Sequence, residues 1–196
     1  MIESQEVANT ETLSPRGRLL KAAAHLFRAQ GYDKTTVRQI AAAVGIQSGS
    51  IFHHFKNKES ILLAIMQETI TDSLQQMESS IAGLSDVREQ LSWLLYLELL
   101  SINGESGEAM GVLFFEWRSL SEENQRLILQ LRDQYEKHWL SVLAAAKEAG
   151  LVSLDPFILR RFITGITSWT SHWFHSDGDI SIRQLADLAL AMILKE

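Results

Sequence analysis

Between Thr35 and Glu59 the chain gathers Arg38, His53, His54, Lys56 and Lys58 against one acid, Glu59. Cations interleaved with small polar residues, here Gln47, Ser48 and Ser50, suit two tasks: neutralising phosphates and hydrogen-bonding to base edges. This concentration is local. Residues 14–60 hold eight basic and two acidic residues, a balance of +6, which leaves −12 for the rest of a chain whose net charge is −6. Such asymmetry points to a polyanion meeting one part of the molecule. Other chemistries find less support. His172 and His175 stand three apart, with Asp177 and Asp179 following. That spacing can place two imidazoles on one metal, but at a helix end histidines more often face solvent or the helix dipole, so no metal site is expected. The chain has no Cys, which excludes disulfides and thiolate ligands and suits a reducing cytosol. No H-E-x-x-H, G-x-S-x-G or Walker pattern occurs, and no nucleophile–base pair assembles. Neither an enzyme nor a cofactor is expected. Glu98, Glu116 and Arg118 lie in apolar surroundings, where they can orient a ligand's polar head or form an intrahelical pair.

The elements that must position the basic cluster read as helices. Pro15 and Pro156 follow the N-cap residues Ser14 and Asp155, so each marks a helix start. Leu19, Ala22, Ala23, Leu26 and Phe27 give a buried stripe over about 15–30, ended by Gly31. A short helix is expected over 36–44 and another over 47–53, joined at Gly45 in a helix-turn-helix pattern. Ile51 and Phe55 should face inward and Gln47, Ser48, Ser50 and His53 outward. A long fourth helix begins after Asn57 and runs to about Ile81. Further helices are expected over 86–103, 107–118, 121–149, 155–175 and 181–195, the last opened by a Ser181/Gln184 capping box. Strand periodicity is missing. The fold class is therefore all-α: an N-terminal three-helix helix-turn-helix domain linked by the long fourth helix to a C-terminal bundle of about five further helices. The expected divisions are a flexible arm over 1–13, a DNA-binding domain over 14–60 and a ligand-binding and dimerisation domain over 61–196. The N-terminus has neither the basic nor the apolar region of a signal peptide, and no apolar run is long enough to span a membrane, so a cytoplasmic protein without membrane contact is expected.

Leu26-Phe27, Gly31-Tyr32, Thr35-Thr36, Ile40-Ala41, Gly45-Ile46, Gly49, Ile51-Phe52, His54-Phe55, Asn57-Lys58 and Leu62 together closely resemble the N-terminal domain of the TetR family of bacterial transcriptional regulators. The match covers about residues 15–65. The resemblance implies that Thr36 and the amides beside it bind phosphate and that Arg38 reaches a base or phosphate. It places Gln47, Ser48 and Ser50 near bases and sets His54 and Lys58 on the DNA backbone. Phe52 stands where the family usually has Tyr, whose hydroxyl commonly meets a phosphate; Phe52 keeps the apolar contact but cannot donate, and His53 or Lys56 can substitute. The implied function is a ligand-responsive, sequence-specific transcriptional regulator, a repressor released from a palindromic double-stranded DNA operator. The competing reading is a helical small-molecule-binding or interaction protein that does not bind DNA.

All five tryptophans lie beyond residue 90, among many large apolar residues. A helical bundle with this bulk can line an apolar cavity. The expected lining is Trp93, Leu97, Met110, Phe114, Trp117, Arg118, Trp139, Phe162, Ile166 and Trp169, with a small apolar or amphipathic effector. Segments over 111–138 and 165–181 are similar to regulatory domains of family members that respond to acyl-CoA thioesters, making such a thioester one candidate. A homodimer is expected through Gly165, Ser168, His172, Leu185, Leu188 and Met192 on the last two helices.

Overall fold

The computed structural model describes residues 13–195; the arm expected over 1–13 lies, apart from Leu13, outside them. Among the described residues nine α-helices follow in order: α1 (Pro15–Gln30), α2 (Val37–Ala43), α3 (Ser48–Ile51), α4 (Lys58–Ile81), α5 (Val87–Asn103), α6 (Gly107–Phe115), α7 (Glu122–Glu148), α8 (Pro156–Trp169) and α9 (Ile182–Ile193). Their starts are set by side chains that satisfy otherwise unpaired backbone donors. Ser14 accepts from the Gly17 amide ahead of Pro15, and Asp155 accepts from Phe157 and Ile158 ahead of Pro156. Reciprocal capping boxes open α2 (Thr36/Gln39), α4 (Asn57/Ser60) and α9 (Ser181/Gln184). Gly45, at φ +71°, makes the turn between α2 and α3 in a backbone region that disfavours a side chain.

Three helices are shorter than their sequence pattern suggests. The expected 47–53 helix is only Ser48–Ile51, because Ser-Gly-Ser offers little helix propensity. The expected 107–118 and 155–175 helices each give way to a 3₁₀ turn, at Trp117–Ser119 and Thr170–His172. At the first, Glu116 accepts from the Tyr32 amide and the Ser119 hydroxyl; at the second, Asn103 donates to Thr170 Oγ1 at 2.7 Å. Tertiary hydrogen bonds replace the next helical turn in both places.

Two apolar cores result. The first packs Leu19, Phe27, Ile40, Ile51, Phe55 and Ile61 with Met110, Val112, Leu113 and Ile128, so α6 and α7 share a core with the helix-turn-helix. The second joins Met77 of α4 to Leu91, Leu95, Trp139, Leu143, Leu159, Ile163, Ala186 and Leu190. Helix α4 enters both. Among the described residues no helix is long and apolar enough to cross a membrane.

Candidate nucleic-acid interface and ligand cavity

The basic cluster lies on one end of the molecule. Thr36 caps α2 and leaves the start of that helix exposed, with Arg38 exposed in its first turn. Gln47 occupies the N-cap of α3 without a side-chain bond to the helix, which leaves its amide for an outside partner. Ser48 and Ser50 are half-buried, whereas His53, His54 and Lys56 are exposed. Ile51 and Phe55 are buried and anchor α3, as the pattern predicts. Phe52 is 58% exposed, so its ring contributes little to the core.

Lys58 departs from expectation. Its ammonium donates to the carbonyls of Tyr32 (2.8 Å) and Thr35 (3.0 Å), lies 3.4 Å from that of Asp33, and sits 4.1 Å from the Tyr32 ring centroid. The donors expected to hold DNA are engaged within the protein. They tie the loop before α2 to the start of α4, making Lys58 a strut of the DNA-facing surface.

The same end is fastened to the regulatory half at several points. Glu59 accepts from the Ser121 amide and the Asn124 side chain, both at 2.7 Å. These bonds, the Ser121 amide first, hold its carboxyl below the ordinary carboxylate range. On α1, His25 Nδ1 lies 2.7 Å from Glu108 of α6. Arg28 stacks over Phe115 at 4.6 Å. It also runs so close to Gly111 that an added Cβ would lie 2.7 Å from its Nε.

Behind α6 lie two adjoining pockets, an inner and an outer part, that share lining residues. The inner part, about 70 Å³, is walled by Ile70 of α4, Ser101 and Ile102 of α5, Met110, Leu113 and Phe114 of α6, and Thr164 of α8. Its floor is ionic. Arg160 is 3% and Glu98 6% exposed. The guanidinium meets Glu98 at 3.1 Å (Nη1 to Oε1) and 2.8 Å (Nη2 to Oε2), and Glu136 at 3.0 Å (Nη2 to Oε1). Thr167 Oγ1 lies 2.6 Å from Glu98 Oε1, and the Tyr135 hydroxyl donates to Oε2 at 3.3 Å. Trp139 stacks behind Arg160 at 4.3 Å. Burial opposes the guanidinium's charge, but Glu98 more than compensates and raises its pKa; burial and then Glu98 raise that of Tyr135.

The outer part, about 300 Å³, shares Ile102, Met110, Phe114, Arg132, Thr164 and Ser168 with the inner one. Arg28, Arg132 and His172 line it and, among the described residues, no carboxylate does, while Phe114, Phe115 and Trp169 supply aromatic walls. In a chain of net charge −6 this mouth is suited to an anion.

Several expected lining residues are elsewhere. Met110 and Phe114 line both parts and Trp169 the outer one. Trp139 is core, behind the ionic floor. Trp93 packs beside Tyr96 under Arg183, and Leu97 packs against the second core. Trp117 packs against the first core, and Arg118 is exposed. Phe162 (57% exposed) and Ile166 point outward, because α8 is apolar on two faces: Leu159, Ile163 and Thr167 turn inward with Arg160 while Phe162, Ile166 and Trp169 turn out. Arg160 and Arg132 escaped the sequence reading, although Arg160 shares the buried stripe of Leu159 and Ile163, an unusual place for a charge.

The outward face of α8 continues onto α9. Gly165, Ile166, Phe162, Trp169, Trp173 and Met192 surround an open groove, and Leu188 is exposed beside it. His172 is exposed and stacked on Trp169, and Ser168 faces the cavity as well. Leu185 does not belong to this face; it packs partly buried against the second core. Among the described residues no three His, Asp or Glu side chains converge to hold a metal ion.

Comparison with known proteins fits this arrangement. Residues 19–65 match the family model described as bacterial regulatory proteins, tetR family, and residues 85–196 the one described as tetracyclin repressor-like, C-terminal domain. The HTH-type transcriptional repressor KstR2 of Mycobacterium tuberculosis is 31% identical over 192 residues, covering 92% of each chain. A solved structure described as superantigen PfiT is 55% identical, covers 93% of this chain and 97% of its own, and superposes with a TM-score of 0.78. The structure of AibR in complex with isovaleryl coenzyme A and operator DNA is 25% identical, covers 92% and 98%, and gives 0.82.

Proposed function

The chain belongs to the TetR family of bacterial regulatory proteins, and from that premise we propose a dimeric transcriptional repressor that leaves a palindromic operator when an acyl thioester fills its cavity. Residues 14–60 read DNA in the cytoplasm; residues 61–196 hold the effector and the partner subunit. Thr36 and Arg38, with His53, His54 and Lys56, meet phosphates, while Gln47, Ser48, Ser50 and Phe52 face the major groove. Phe162, Gly165, Ile166, Trp169, Leu188 and Met192 form the dimer face.

One observation carries the effector reading: the narrow, largely apolar-walled inner cavity adjoins, and shares lining residues with, a mouth lined by Arg28, Arg132 and His172 and, among the described residues, by no acid. An anionic head at the mouth and an aliphatic chain inside match both parts. The AibR structure contains such a ligand, isovaleryl coenzyme A, together with operator DNA.

The route to DNA runs through α6. Met110 and Phe114 face the cavity, while Glu108, Gly111 and Phe115 meet His25 and Arg28 of α1. A ligand that displaces α6 therefore displaces the DNA-binding end. Release requires the ligand to prefer the non-binding form by about 2–4 kcal/mol, or roughly 30- to 1,000-fold. Titrating acyl thioesters while following tryptophan fluorescence and operator binding tests this; a change in both supports it. A protein that ignores thioesters but leaves DNA for a small polar metabolite would falsify it.

The 55% identity to superantigen PfiT favours a second reading, an interaction protein built on the same fold without DNA binding. Selection from random duplexes decides between them: enrichment of a palindrome excludes the second reading, and no enrichment excludes the first.

A further inference from the structure

Resting on the acyl-thioester reading, we propose that the Glu98–Arg160–Glu136 cluster is a stop that limits the buried part of the effector's chain to about three non-hydrogen atoms. The protein then answers short acyl thioesters, in the propionyl-to-isovaleryl range, and rejects long-chain and polycyclic ones.

The inner cavity holds about 70 Å³. A cavity of about 150 Å³ holds a benzene ring, or about 25 Å³ for each non-hydrogen atom, so this one admits about three. A flexible wall could yield to a longer chain, but the floor resists. Each Glu98 oxygen is met by two partners: Arg160 Nη1 and Thr167 at Oε1, Arg160 Nη2 and Tyr135 at Oε2. Glu136 takes Arg160 from its other side, and Trp139 backs it. A chain that drives between these groups must separate nearly buried opposite charges and leave each without a partner, which is far costlier than shifting an apolar side chain. The side walls, Ile70, Ile102, Met110 and Leu113, are themselves buried and packed in the first core. The larger outer part is exposed, aromatic and basic, so it takes the anionic head and leaves only the inner part for the chain.

The test is calorimetric titration of the full chain with free coenzyme A and its acetyl, butyryl, isovaleryl, hexanoyl, octanoyl and palmitoyl thioesters, with operator release measured in parallel. Affinity should rise about fourfold for each buried methylene as far as butyryl or isovaleryl. It should fall roughly tenfold or more at palmitoyl, where overpacking sets in. Ile70→Ala enlarges the inner cavity and should move the optimum to a longer chain; Ser101→Leu fills it and should move the optimum to a shorter one. If one of these variants does not fold, the other decides. Palmitoyl binding as tightly as butyryl, or an optimum that neither variant moves, overturns the stop while leaving the acyl-thioester reading intact. No response to any thioester, with operator binding retained, overturns that reading and the stop with it.

Discussion

At the residue scale, two neighbouring lysines have different jobs despite similar sequence surroundings. Lys56 is exposed at the DNA-facing end, whereas Lys58 has its ammonium against the carbonyls of Tyr32 and Thr35. Replacing Lys56 by Ala should reduce the log–log salt slope of operator binding by about 1 for each site, with no change in melting. Replacing Lys58 by Met should leave the slope nearly unchanged but lower stability by roughly 1–3 kcal/mol, because carbonyls lose their donor. Anisotropy titrations at several salt concentrations, with thermal melts, separate the two. A Lys58 variant that melts normally and loses slope would show that this ammonium reaches DNA.

At the element scale, α6 and α7 connect the cavity to the DNA-binding end. Gly111→Ala places a methyl 2.7 Å from Nε of the exposed Arg28 side chain, which must swing aside, so the stacking of Arg28 on Phe115 is lost and this side chain separates from α6. If that separation resembles the effector-bound form, operator affinity falls and effector affinity rises by the same factor, since both report one equilibrium. Opposite changes of equal size support the link; a loss of operator affinity with unchanged effector affinity breaks it. The Glu59 latch onto α7 gives a pH signature. Its carboxyl is held below its unfolded value, so the latch contributes stability above that unfolded value and loses it as pH falls through the lower, folded one. Glu59→Gln should therefore melt below wild type at neutral pH and converge with it in acid. Melting curves that stay parallel down to acid pH would remove Glu59 as the cause.

At the scale of the whole molecule, α8, the segment after it and α9 present the large exposed apolar side chains Phe162, Ile166, Trp169, Trp173, Leu188 and Met192, a cluster of the kind that marks an interface. A two-fold dimer through this face gives two DNA-binding ends and a palindromic site. With three to five phosphates neutralised by each subunit, the salt slope for the dimer should be about −5 to −9. Phe162→Glu places a charge in the centre of the face and should yield a folded monomer that has lost tight operator binding. Light scattering checks the state, and a Phe162→Glu protein that remains dimeric rules this face out.

Much of this was legible in the sequence because it depends on local rules. Helix starts at Ser14-Pro15, Thr36, Asn57, Asp155-Pro156 and Ser181 follow from capping chemistry within a few residues, and the turn at Gly45 from its backbone freedom. The helix-turn-helix was legible for the same reason: its motif is short and contiguous. What only the tertiary structure decided is which way a side chain faces when a helix is apolar on two sides, and which distant group meets a charge. Periodicity put Phe162 and Ile166 in the cavity, but α8 packs its other face inward; Lys58 looked free until folding brought it to a loop 23 to 26 residues earlier. The ionic floor joins Glu98, Glu136 and Arg160 from three helices, up to 62 residues apart, and no spacing rule reaches that far. Local signals fix where helices begin and end, whereas contacts between them depend on how each helix is rotated about its axis, and that is settled by the packing of all its neighbours together.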